Sequence, residues 1–189
     1  QPGDEAHAMN VAVPCNAPGL KIYSRRSYAS AANSIFDYPL ATRFDETDSL
    51  VVFDDVLVPW ERVFVYKNIE ICRDQWWKTP AHAMGNHQAQ IRLVTKLRLL
   101  MGLARRVAIM NGVNNVPEVQ TLLGEMSSYA AMMEGLIDAQ IATCTTYQNG
   151  YVEPGRSALY AAIVLQTKAY PRMLTLMREL CGGGVIQLP

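Results

Sequence analysis

Two hydrophobic rhythms divide the chain. Up to about residue 66, apolar residues gather in short runs separated by Pro, Asn and Asp; from Ile69 onward they recur at alternating steps of four and three. The first rhythm predicts β structure over 11–66, with strands at Lys21–Ser24, at Leu50–Phe53 and near Val56–Val65. Between them, Phe36–Phe64 opens on a turn restrained by Pro39, crosses a charged loop holding Arg43, Asp45, Glu46 and Asp48, and is broken again at Pro59. The second rhythm predicts three helices. Leu93, Leu97, Leu100, Ala104 and Val107 form one stripe. Val119, Leu122, Met126, Tyr129, Met133, Leu136 and Gln140 form another, announced by Asn115 with Glu118 three residues later as a capping box and Pro117 in the first turn. Leu159, Ile163, Gln166, Tyr170, Met173, Met177 and Leu180 form the third, which starts after Pro154 and Gly155, should bend at Pro171, and ends at Gly182–Gly184.

Stripes rich in Met and aromatic residues are the ordinary core of a helical bundle. Short connections make the three helices antiparallel neighbours, with an open side that a fourth helix or a second subunit must cover. The chain starts without Met in a strand-like region and stops just past a helix, with no internal repeat, so it is expected to be part of a longer polypeptide.

Composition narrows the function classes. In 189 residues with 50% hydrophobic content, a sizeable core can be buried. The 17 basic and 17 acidic side chains cancel, which speaks against nucleic acid or an anionic membrane as partner. No apolar run approaches the roughly 20 residues that span a bilayer, and Gln1–Asn10 lacks the grammar of a signal peptide, so the cytoplasm is the expected compartment. Cys15, Cys72, Cys144 and Cys181 are far apart and out of ligand spacing with His7, His82 or His87; they are expected to be reduced and mostly buried, with no metal site.

Three clusters invite chemistry. The triplet Gly182, Gly183 and Gly184 suits a loop that lets a ligand approach its backbone, although a helix C-cap accounts for one of the three. The run Gly85–Arg92 enters a long helix with Asn86, His87, Gln88 and Gln90, and Arg92 lies one turn beyond Gln88 on the same face; such groups at a helix N-terminus suit phosphates, or else simple capping. Arg25, Arg26, Ser27 and Tyr28 follow a strand and suit either a substrate-covering loop or a charged surface. Asp54 and Asp55, as strand neighbours, point to opposite faces and cannot act as a carboxylate pair. Trp76 and Trp77 suit packing at a domain junction.

The blocks GLKIYSRRSY (Gly19–Tyr28), DYPLATRFDE (Asp37–Glu46), VPWERVFVY (Val58–Tyr66), the helix start at Gln88–Leu97 and the closing GGGVIQLP together resemble the 4-hydroxyphenylacetate 3-monooxygenase family, the oxygenase components of two-component, FAD-dependent phenol hydroxylases. The resemblance implies an α+β fold of acyl-CoA dehydrogenase-like architecture: the end of a β-barrel or sheet domain over 1–67, then an antiparallel, incomplete helical bundle over 68–189. It implies hydroxylation ortho to a phenol hydroxyl through a flavin C4a-hydroperoxide, with FAD used as FADH2, O2 as co-substrate, a separate NAD(P)H-flavin reductase and a homotetramer. Cofactor contacts are then expected at Gly182, Gly183, Gly184, Gln88, His87 and Arg92, and the substrate loop at Arg25, Ser27 and Tyr28. The phenol clamp and catalytic base would lie upstream of Gln1. Rival readings are a 4-hydroxybutyryl-CoA dehydratase-like enzyme, which needs cluster-binding cysteines that the stretch between Arg73 and Ile141 does not offer, an acyl-CoA dehydrogenase-like enzyme, and a non-catalytic helical assembly module.

Overall fold

The computed structural model describes residues 3–44 and 48–182. Its contacts divide the chain into two units, Gln1–Arg73 and Asp74–Pro189.

In the first unit, β1 (Met9–Val11) pairs antiparallel with β4 (Val63–Tyr66), and β2 (Leu20–Ser24) pairs antiparallel with β3 (Ser49–Phe53), Leu20 opposite Phe53 and Ser24 opposite Ser49. Gly19 closes the second ladder: its φ is +83°, and a Cβ there would lie 2.2 Å from the Asp54 carbonyl oxygen. Asp54 returns its N–H to the Gly19 carbonyl and pairs its carboxylate with Lys21, an edge role and not an acid–base one.

Two expectations for this unit need correction. The segment after Pro39 is not a loop but a short helix, α1 (Pro39–Phe44), because Pro at the first helical position gives up no hydrogen bond and arrives with a helical φ. Asp45 and Glu46 lie outside the described residues. The strand near Val56–Val65 is shorter than its apolar run, since Trp60–Arg62 forms a 3-10 turn behind Pro59 and only Val63–Tyr66 joins a ladder.

Helix α2 (Ile69–Lys78), capped by Asn68 Oδ1 on the Ile71 N–H, leads to α3 (Ala81–Met110). Then follow α4 (Pro117–Ala142), a small hairpin of β5 (Thr145–Thr146) and β6 (Val152–Glu153), and α5 (Arg156–Leu180). No capping box forms at Asn115. Pro117 holds the residue before it extended, so Val116 becomes the N-cap, without a side-chain cap, and Asn115 Oδ1 accepts from Asn114 Nδ2. Helix α5 continues across Pro171, which sits on its exposed side, and ends with Gly182 at φ +77°.

The three stripes converge as expected. Leu97, Ala104, Met126, Met133, Ala162, Met173 and Leu176 are wholly buried in one cluster, with Leu122, Tyr129, Leu136 and Tyr170 packed against it. Arg98 pairs with Glu134 while Gln90 meets Gln140, and Arg172 pairs with Glu125 through two bonds of 2.7 and 2.8 Å while Gly155 meets Gln140, so α3 and α5 both run antiparallel to α4 and parallel to each other. No helix among the described residues is long and apolar enough to cross a membrane.

Candidate functional site

A chain of polar side chains crosses all three long helices at one level. Gln90 Nε2 donates to the Leu159 carbonyl of α5 at 3.1 Å; Gln140 Nε2 of α4 donates to Gln90 Oε1 at 2.6 Å; and His87 Nδ1 meets Gln140 Oε1 at 2.8 Å. Gln90 and Gln140 are wholly buried and His87 is half-buried. The Gln140 carbonyl also accepts the Gly155 N–H at 2.8 Å, tying the end of α4 to the start of α5. Buried amides are tolerated because each is paired on both sides.

The run containing His87 and Arg92 does not lie at a helix N-terminus. Helix α3 begins at Ala81, so its unpaired N–H groups lie one turn or more before His87 and do not serve those side chains. Along α3 the candidates also diverge. His87 turns to α4, Gln88 is exposed, and Arg92 lines a groove of about 380 Å³ with Ala89, Leu93 and Lys96 of α3 and with Gln166 and Tyr170 of α5. Arg92 and Lys96 stand one turn apart, a pair of cations suited to an anionic group beside a tyrosine ring. Gly182 lies far from both. Leu159 is level with Gln90, and the rise from Leu159 to Gly182 along α5 is roughly 30 Å. Among the described residues, a Cβ at Gly182 would meet no heavy atom within 4 Å beyond its chain neighbours. Gly183 and Gly184 lie outside the described residues.

In the first unit, the Arg25 guanidinium lies 5.1 Å from the Tyr28 ring centre and Tyr38 lies 5.0 Å away ring to ring. The Ser27 carbonyl accepts from Ser30 Oγ, and the Arg25 N–H donates to the Asp48 carbonyl.

A third feature, absent from the sequence-based set, surrounds the β5–β6 hairpin. An open cleft of about 740 Å³ is lined by Lys78, Thr79, Tyr147, Asn149, Glu153 and Arg156. The nearly buried Glu153 carboxylate accepts from Arg156 Nε and from Tyr147 Oη at 2.7 Å. The Arg156 hydrogen bond holds its pKa below the usual carboxylate range, helped by Tyr147, and the same carboxylate raises the Tyr147 phenol. Nearby, His82 stacks on Trp77 at 4.2 Å and meets Trp76 and Tyr160 edgewise or tilted. The cysteines depart from expectation: Cys15 and Cys144 are exposed and Cys72 and Cys181 half-buried, since Cys15 and Cys144 sit in connecting turns that no core covers.

Gln140 and Gln166 stood on otherwise apolar stripes, and the first proves to be a partnered interior residue while the second lines the groove beside Arg92; Lys96 stood four residues beyond Arg92. These signals were present in the sequence. Glu153 had none, because its burial depends on the hairpin.

Comparison with known proteins places this arrangement. The fold is the acyl-CoA dehydrogenase-like one: a 4-hydroxybutyryl-CoA dehydratase from N. maritimus superposes over 98% of this chain at a TM-score of 0.83 with 20% identity, a likeness of fold alone. Within that class the chain belongs to the 4-hydroxyphenylacetate 3-hydroxylase family, whose C-terminal region matches residues 72–189 and whose N-terminal region matches residues 1–65. The probable 4-hydroxyphenylacetate 3-monooxygenase of Bacillus subtilis (strain 168) is 34% identical over 98% of this chain and 38% of its own length. The crystal structure of the oxygenase component (HpaB) of 4-hydroxyphenylacetate 3-monooxygenase complexed with FAD superposes at a TM-score of 0.90 with 33% identity, over all of this chain and 40% of that one. The chain thus spans about 40% of the length of these relatives.

Proposed function

We propose that these residues form part of an FAD-dependent aromatic hydroxylase that inserts one oxygen atom from O2 ortho to the hydroxyl of a 4-substituted phenol. The reading is carried by one observation, the 0.90 superposition at 33% identity on an FAD-bound oxygenase component. Reduced FAD, delivered by a separate NAD(P)H-flavin reductase, supplies the electrons that activate O2. The residues present suit the cofactor's chemistry. Arg92 and Lys96 offer two cations for a pyrophosphate, and Gly182 presents backbone that the described residues do not crowd.

The cofactor contacts are His87, Gln88, Arg92 and Gly182–Gly184, and Arg25, Ser27 and Tyr28 belong to a loop over the phenol. His87 and Arg92 lie on different flanks of α3, and Gly182 lies roughly 30 Å along the bundle. This spread supports a homo-oligomer in which the end of one bundle meets the flank of another, and the assembly proposed is a tetramer of two dimers. The cytoplasm, where reduced nicotinamide cofactors feed a reductase, is its compartment. Within this chain the protein's part is to bind, orient and exclude water, since water at the flavin would divert oxygen to hydrogen peroxide.

The test supplies the complete natural protein with FAD, NADH and a flavin reductase and follows a panel of 4-substituted phenols. Catechol formation with matching oxygen uptake is expected. Peroxide release with every phenol unchanged would refute the hydroxylase reading.

A further inference from the structure

We infer that Gln90 and Gln140 are positioning residues that hold His87 as its Nδ1–H tautomer, so that the neutral ring offers Nε2 as an acceptor and takes an N–H or O–H group of its ligand, not a phosphate oxygen. The direction of the relay follows from its buried end. The Leu159 carbonyl can only accept, so Gln90 must turn its amide nitrogen there, which leaves Gln90 Oε1 facing Gln140. Gln140 must then donate through Nε2, at 2.6 Å, and its own Oε1 is left facing His87. An acceptor 2.8 Å from Nδ1 requires a proton on Nδ1. Reversing any member would press two acceptors together around wholly buried amides with no solvent to relieve them.

Among the described residues His87 makes no other hydrogen bond, and no buried side-chain nitrogen or oxygen lacks a partner, so Nε2 opens to the surface of the unit. A lone pair there repels anionic oxygen and attracts a donor. FAD carries both kinds of group: N–H and hydroxyl donors on the ring and ribityl chain, anionic oxygens on the pyrophosphate. The relay assigns His87 to the donors and leaves the pyrophosphate to the Arg92–Lys96 flank. This second half rests on the proposal that His87 meets the cofactor; the tautomer does not.

The chain labelled with 15N in its histidines, His7 and His82 being assigned by substitution, tests both halves separately. Two-bond proton–nitrogen correlation should show His87 protonated on Nδ1 and bare on Nε2. Protonation of Nε2 in the neutral ring overturns the inference outright. Gln140→Met, similar in length but without an acceptor, should shift His87 toward the Nε2–H form that an unrestrained imidazole side chain favours; an unchanged tautomer would show that the amides do not position it. If that variant does not fold, the unsubstituted chain still decides. Riboflavin and inorganic pyrophosphate are then titrated separately, followed by FAD. A shift of His87 Nε2 with riboflavin and none with pyrophosphate is expected. A response to pyrophosphate alone overturns the donor assignment, and retained FAD that leaves His87 unmoved removes the residue from the cofactor site while the tautomer result stands.

Discussion

Gln140 satisfies more of the bundle than one amide usually does, because its side chain bridges Gln90 and His87 while its carbonyl takes the Gly155 N–H. Replacing it by Leu leaves Gln90 Oε1 buried without a donor, a loss of about 1–3 kcal/mol that denaturant unfolding should read as a lower midpoint. The double variant Gln90→Leu, Gln140→Leu removes both halves of the buried pair, so its loss should be smaller than the sum of the two single losses; strict additivity would show the amides are not coupled. Glu153 has a different signature. Its folded-state pKa is depressed by Arg156 from the ordinary value of 4.5, so its stabilisation is fully present above that value and disappears as pH falls through the depressed one. Glu125, depressed by Arg172, acts on the same acid limb. Glu153→Gln should therefore lower stability at neutral pH and flatten, without abolishing, its decline in acid, as thermal unfolding over a pH series would show. Such residues were only partly legible beforehand. A glutamine on an apolar stripe marks itself, but the partner that makes it tolerable belongs to another helix, and one-dimensional spacing does not name it.

At the scale of elements, the connection from α4 to α5 is the most tightly specified. A Cβ at Gly155 would lie 1.9 Å from Thr143 Oγ1 and 2.9 Å from the Thr143 carbonyl oxygen, although the Gly155 backbone at φ −57° is open to any residue. The glycine is needed for close approach and not for conformation. Gly155→Ala should accordingly cost about 1–3 kcal/mol, measured as a lower melting temperature. Adding Thr143→Ala should recover only part of it, because the carbonyl contact remains. The long helices were legible because a 3.6-residue period sustained over many turns leaves one consistent face, and Met126, Met133 and Met173 are buried where that face predicts. The helix starts were less so. Pro117 displaced the cap expected at Asn115, and the entry placed near Gln88 lies inside α3, which begins at Ala81, because Gly85 is accommodated against Trp76 without breaking the helix. Helix α1 was missed because a six-residue helix is too short to show a period, and its proline suits a turn equally well.

For the molecule as a whole, burial is distributed very unevenly. The helical unit encloses a cluster running from Val94 to Leu180, whereas among the described hydrophobic residues up to Arg73 only Val65 is buried, and Phe36, Phe44, Leu57, Trp60 and Phe64 stand largely exposed. Two-stranded ladders with open apolar faces do not offset the conformational entropy of ordering their residues. Residues 74–189 expressed alone should therefore be helical and unfold cooperatively with denaturant. Residues 1–73 expressed alone should show no cooperative transition, and their amides should exchange at the rates of an unstructured chain. A protected, cooperatively melting 1–73 would mean that its ladders carry a core of their own. On the proposed hydroxylase reading, a β unit unable to stand alone needs cover over its apolar faces, and a flavin kept from water needs cover as well. Under that proposal the stability of the β unit and retention of FAD are linked: conditions that shield those faces in the complete protein should raise both together, readable as a higher melting temperature and a slower release of FAD in the same preparation.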